Sequence, residues 1–188
     1  MRIVTVLVGL SLPCSLYAAD FDYTFVDAGL LNTEIDVGSV GVDGDGIGVS
    51  GSIGISDNVN IVAGYSDLDY DFDINGSSWN VGLGFHTDIN DDLDFVADAT
   101  YIDAEVDTPF GSASDDGFGV GAGIRARVGE KVELDAGLQY VDFDDSDTVL
   151  NVGGRYYFSD SFALNAGLSD ADAGMSWMIG IRAEFGGK

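Results

Sequence analysis

The stretch "IVAGYSDLDYDFDING", Ile61 to Gly76, changes the polarity of both its faces halfway along. Alternate residues of a strand point to opposite sides, so Ile61, Ala63 and Tyr65 share one face. That face continues as Asp67, Asp69, Asp71 and Asp73, while the opposite one becomes Leu68, Tyr70, Phe72 and Ile74. A strand whose outer side turns from apolar to acidic leaves one surrounding and enters another. From Asp71 the segment also reads D-x-D-x-N-G, the first half of an EF-hand loop. The second half is missing: Gly82 stands where a bidentate glutamate should close the shell, and no amphipathic helix flanks the segment.

The same exchange of faces follows Leu30 (Asn32, Glu34, Asp36 against Leu31, Ile35, Val37), Tyr101 (Asp103, Glu105, Asp107 against Ile102, Ala104, Val106) and Tyr140 (Asp142, Asp144 against Val141, Phe143). Each exchange falls where a strand runs into a longer loop. An outer face that passes from lipid to water must do this, and its inner face is then free to pack against neighbouring loops. On this reading Asp67, Asp69, Asp71 and Asp73 are the wet outer face of a hairpin with Asn75-Gly76 at its tip as a type I′ turn. Weak binding of calcium or magnesium by the acidic collar as a whole is the alternative reading, and no other cofactor is expected.

Period-two patterning fills the chain from Asp20 onward. In "FGVGAGIRARV" the even positions, Phe118 to Val128, are apolar, and the odd ones are glycines followed by Arg125 and Arg127. In the last segment Trp177, Ile179, Ile181, Ala183 and Phe185 oppose Met178, Gly180, Arg182 and Glu184. One such segment also fits a soluble sandwich. About ten of them, near 22–34, 45–56, 59–71, 77–87, 93–106, 117–128, 132–143, 148–158, 162–169 and 175–185, joined alternately by tight turns and longer acidic loops, predict an all-β, antiparallel, up-and-down transmembrane barrel. Eight strands is the alternative count. Aromatic residues mark both rims of the apolar band: Tyr65, Trp79, Tyr101, Phe118, Tyr140 and Trp177 at the loop end, and Phe85, Phe95, Phe158, Phe162 and Phe185 at the turn end.

The N-terminus, "MRIVTVLVGLSLPCSLYAAD", carries Arg2, a short apolar run and small residues at Ala18 and Ala19, the pattern of a signal peptide over 1–19. The barrel domain is expected over 20–188. Cys14 is the sole cysteine, so the mature chain offers no disulfide or thiol ligand. Acidic residues outnumber basic ones 33 to 7, for a formal charge of -26, and no basic patch remains to meet nucleic acid.

Four of the basic residues, Arg125, Arg127, Arg155 and Arg182, have inward parity. Counting across the turn at Gly129–Lys131 sets Arg125 opposite Asp135 and Arg127 opposite Glu133, with Asp94 and Asp98 on the strand beyond. The same count sets Arg182 near Asp27 where the last strand meets the first, with Glu184 on the same face. Buried charges need partners, so these residues predict a charge network that fills the lumen, against a second reading as an ion-selecting constriction. His86 also has inward parity, but it lies at the turn end, where a structural role is expected of it rather than a catalytic one.

The segments "YTFVDAGLLNTEID", "WNVGLGFHTDINDDLDFVADATY", "GAGIRARVGEKVELDAGLQY", "GGRYYFSDSFALNAG" and "WMIGIRAEF" resemble the small outer-membrane β-barrel proteins of Gram-negative bacteria, the class of OmpX and the OmpA transmembrane domain, and short surface barrels labelled porin-like or quorum-associated. The resemblance implies residence in the outer membrane among its lipid and lipopolysaccharide. It also implies assembly by periplasmic chaperones and the barrel-insertion machinery. It brings no catalytic residues, and the expected role is structural or surface-interacting, with a narrow cation-preferring porin as the alternative and an outer-leaflet enzyme less favoured. A monomer is expected. Such barrels usually end on an aromatic residue, whereas here Gly186, Gly187 and Lys188 follow Phe185.

Overall fold

The computed structural model describes residues 24–37, 40–172 and 174–185. The signal segment 1–19, Gly186 to Lys188 and the side chains of Asp36 and Val37 lie outside them. Ten strands follow in order: β1 (Phe25–Val37), β2 (Val40–Ser56), β3 (Val59–Tyr70), β4 (Ile74–Asn90), β5 (Leu93–Thr108), β6 (Gly111–Arg127), β7 (Val132–Asp142), β8 (Ser146–Ser159), β9 (Phe162–Ala171) and β10 (Gly174–Glu184). Every neighbour in sequence is a neighbour in the sheet, and β1 pairs with β10, so the sheet closes into an antiparallel up-and-down barrel of ten strands. Closure matters physically because it leaves no row of unpaired backbone groups in the apolar band.

Alternation decides which way each side chain points. Leu30, Ile47, Ile61, Leu83, Ile124, Leu138, Leu164 and Ile179 face outward and are exposed, whereas Asp27, Ser52, Asn60, His86, Arg125, Glu133 and Arg182 face inward and are buried. Compared with a soluble protein the barrel is inside out, as a lipid-facing surface requires. Three irregularities of register, at Gly54/Ser56, Asp88/Asn90 and Tyr157/Ser159, all fall beside the tight turns.

The hairpin tip in the opening stretch is not where turn chemistry puts it. Asn75 and Gly76 already lie in β4, opposite Asp69 and Leu68, and the connection is Asp71 to Asp73. Phe72 and Asp73 carry the left-handed backbone, with φ of 68° and 58°. A turn centred on Asn75-Gly76 would slip β4 against β3 and lose the facing of Tyr65 with Trp79 and of Ala63 with Val81. A register set by the apolar face outweighs a turn preference.

The barrel is taller on one side at the loop end. β5 and β6 stay paired up to Thr108 and Gly111, and β3 and β4 up to Tyr70 and Ile74. By contrast, β7 and β8 turn at Asp142 and Ser146.

Candidate functional site

Glycine builds the inside. Where one strand carries a large inward side chain, its neighbour offers a glycine in whose missing Cβ space that side chain lies. Asp98 fits over Gly121, Asp135 over Gly153, Asn60 over Gly84, Tyr70 over Gly44 and Leu31 over Gly48. At Gly46 and Gly82 an added Cβ would overlap backbone of the adjacent strand, so there the close approach of two chains itself demands glycine. Of the alternating glycines of "GFGVGAG", Gly119 and Gly121 are sockets for Gln139 and Asp98, while Gly117 and Gly123 lie against the backbone of β7.

Near the turn end the sockets hold a charge network. Arg125 stands opposite Asp135 and Arg127 opposite Glu133 in register. The ion pairs nevertheless run diagonally. Arg125 pairs with Glu133, while Arg155 Nη1 lies 2.9 Å from Asp135 Oδ1 and 4.0 Å from Glu133 Oε2. Strand stagger explains the exchange, since an arginine reaches a diagonal neighbour as readily as the residue directly across. The Tyr157 hydroxyl lies 2.8 Å from Glu184 Oε1 and 3.3 Å from Glu133 Oε2, joining two carboxylates that sequence alone does not connect. The only available sign was that Tyr157 shares the inward parity of Arg155.

At the seam, Arg182 faces Asp27 in register and donates from Nε at 2.9 Å and from Nη2 at 2.6 Å to its two oxygens. Asn165 donates to the same carboxylate at 3.1 Å, and the guanidinium carbon sits 3.8 Å from the centre of the Phe25 ring. Arg182 is 1% exposed. Asp94 is buried on the facing wall. Arg127 is half-buried at the turn end, and its backbone N–H donates to Asp92 O.

Nearer the loop end the filling becomes apolar, a level the sequence reading did not name. Leu31, Leu68 and Met178 form one buried cluster with Tyr70 packed on it. Ile102, Val141 and Val149 form another with Phe143 and Ala171. Leu31, Leu68, Tyr70, Ile102, Val141 and Phe143 among them are inward residues beyond the exchanges of faces. Between the two levels a cavity of about 30 Å³ is lined by Asp98, Arg125, Asp135, Gln139, Asn151 and Arg155 among others. That volume holds about two water molecules.

His86 is buried at the turn end, with Nε2 2.7 Å from Asp57 O. Its backbone carbonyl accepts from Asn58 Nδ2 at 2.9 Å. It braces a turn. Asp67, Asp69, Asp71 and Asp73 are all exposed, the last two in the connection rather than in a strand. Among the described residues no group of three or more His, Cys, Asp or Glu side chains converges as a metal site.

The residues proposed for the two aromatic rims all point outward: Tyr65, Trp79, Tyr101, Phe118, Tyr140 and Trp177 at the loop end, Phe85, Phe95, Phe158, Phe162 and Phe185 at the turn end. Trp79 and Tyr101 touch across β4 and β5 with ring centres 5.5 Å apart, and Phe158 stacks on Phe162 at 6.2 Å.

No curated protein matches the chain in sequence. Among solved structures it is similar to the KdgM porin (12% identity, 87% of this chain and 99% of that one, TM-score 0.51) and to Ail, the attachment invasion locus protein of Yersinia pestis (14%, 88% and 99%, 0.45). Neisserial surface protein A is a third (16%, 86% and 97%, 0.44). At these identities the likeness to the KdgM porin speaks for the fold alone, and the two lower scores add nothing to it. The sequence model of the outer membrane protein beta-barrel domain matches residues 3–158, and with that match, a closed ten-strand barrel and an apolar outer band between aromatic rims, the chain belongs to that family of outer-membrane β-barrels.

Proposed function

We propose that the protein is a sealed barrel of the Gram-negative outer membrane whose work is structural and surface-interacting, done by the acidic loops that it holds above the lipid. The observation that carries this reading is the filling of the lumen at two successive levels, ion pairs of Arg125, Arg155 and Arg182 towards the turns and apolar clusters towards the loops. Outer-membrane barrels turn their short connections to the periplasm and their longer loops outward, so the acidic end is the extracellular one. Among the described residues Lys and Arg occur only at Arg125, Arg127, Lys131, Arg155 and Arg182, all towards the turns. Lipopolysaccharide phosphates therefore meet carboxylates rather than cations, and calcium or magnesium, held diffusely and weakly by Asp67, Asp69, Asp71, Asp73 and their neighbours, would bridge them. In this proposal export runs through the leader at 1–19, and periplasmic chaperones and the barrel-insertion machinery deliver the chain as a monomer. No catalysis is assigned.

The second reading, a narrow cation-preferring pore, draws on the polar cavity beneath an acidic mouth. Planar-bilayer recording of the refolded mature chain, with and without millimolar calcium, separates the two. A sealed barrel passes no current. Steady cation-selective steps from folded protein would refute sealing, and their block by calcium would put the ion at the acidic collar.

A further inference from the structure

The tall side of the rim ends in two aromatic residues that the described residues leave largely uncovered. Phe110 is 99% exposed and Phe72 is 68% exposed. Phe110 is held in place: its N–H donates to Thr108 Oγ1 at 3.2 Å, and that hydroxyl donates to Gly111 O at 2.8 Å. Phe72 occupies a left-handed position, φ 68°, that suits glycine or asparagine far better. Neither ring contributes to a core. β4 and β5 pair up to Asn75 and Asp107, so the two tips stand at the same height. They are separated by two strand spacings, about 10 Å. Strand rise and tilt put them about 20 Å above the Tyr65 and Tyr101 rim.

Exposed carboxylates of Asp71, Asp73 and Asp107 flank the rings. This combination excludes most occupants. Driving Phe72 into a facing bilayer would drag Asp71 and Asp73 into hydrocarbon, at a large cost in free energy. A second copy of the chain would bring carboxylates against carboxylates, because the described loop end has no Lys or Arg. A bare divalent ion leaves the rings unused. Arginine and lysine side chains fit both parts, lying flat over a ring while the charged end meets a carboxylate.

We infer that the crest formed by the β3–β4 and β5–β6 hairpins is a docking site for an extended, arginine- or lysine-bearing segment of another protein. Phe72 and Phe110 are its two stacking points, and Asp71, Asp73 and Asp107 are its counter-charges. The inference deepens the surface-interaction reading and rests on it.

The test uses the refolded full barrel in nanodiscs and a fluorescent peptide of alternating Arg and Ser. Anisotropy is read at about 0.15 M salt, where charge alone reaches only about 8 Å. Binding is expected. The double variant Phe72→Asn, Phe110→Ser, which leaves the loops folded, is expected to weaken it about tenfold, and Asp71→Asn, Asp73→Asn, Asp107→Asn at least as much. A peptide with citrulline in place of arginine is expected not to bind. Wild-type affinity in the phenylalanine double variant would overturn the proposal in favour of diffuse charge attraction. Equal binding of the citrulline peptide, or no binding by the wild type, would overturn it outright. Current steps from the same preparation would refute the sealed lumen while leaving the order of these affinities untouched, so the two readings fail separately.

Discussion

Replacing Asp27 by leucine removes the carboxylate with which Arg182 is paired in the seam between β1 and β10. The guanidinium loses the two charge-assisted bonds at 2.9 and 2.6 Å, Asn165 loses its acceptor, and no nearby bulk water replaces them, since Arg182 is 1% exposed. Breaking a buried ion pair from one side costs about 3–5 kcal/mol, because the remaining charge stays desolvated. A loss of that size is therefore expected. Arg182→Met alone leaves a buried carboxylate with Asn165 and should cost a similar amount. The double variant swaps a charged pair for an apolar one of like volume and should come back to within about 1 kcal/mol of the wild type. Guanidinium unfolding of the barrel in phospholipid vesicles, followed by Trp79 and Trp177 fluorescence, gives all four corners of the cycle. A cost below about 1 kcal/mol for Asp27→Leu, or a double variant equal to the sum of the singles, would refute the idea that this pair is dry and coupled.

Emptying both levels of filling with Arg155→Ser, Ile102→Ser and Val141→Ser should produce current where the wild type has none, and silence from that folded variant would mean that the barrier lies elsewhere. Gly46→Ala, whose Cβ would overlap the backbone of Asp67, should destabilise by about 1–3 kcal/mol in the same unfolding assay. Phe72→Gly removes the left-handed penalty at the β3–β4 tip and should raise stability by up to about 1 kcal/mol; a loss instead would mean that the ring supports the fold. A double-mutant cycle on Trp79 and Tyr101 should return a coupling of about 1 kcal/mol across the rim.

Patterning made most of the barrel readable. Period-two alternation gave all ten strands and set the chosen aromatics on the outward face, because these are local properties of each strand. The facing of Arg125 with Asp135 and of Arg127 with Glu133 was also countable, since a short turn fixes the register of the two strands it joins. Three things were not readable. The diagonal pairing of Arg125 with Glu133 depends on stagger between strands, which residue counting along a hairpin ignores. The Leu31, Leu68 and Met178 cluster draws on β1, β3 and β10, and no segment contains the geometry of closure that brings them together. The tip of β3–β4 was misplaced because Asn75-Gly76 is a strong turn signal in isolation, and only the matching of the outer faces over many residues overrules it.

The uneven distribution of charge along the barrel also bears on how the molecule gets where it is. In the orientation proposed here, with the tight turns in the periplasm, every described arginine and lysine stays on the side from which an outer-membrane protein is delivered, and the acidic crown is the part that must travel the whole way through. A single carboxylate at the bilayer centre already costs a few kcal/mol, and this crown carries them on every hairpin. The long hairpins therefore cannot slip through hydrocarbon one by one. They need a hydrated passage or a thinned patch of membrane. Unaided insertion into vesicles should accordingly be slow in bilayers of ordinary thickness and quicken in thin ones, more steeply than for a barrel with short, neutral loops.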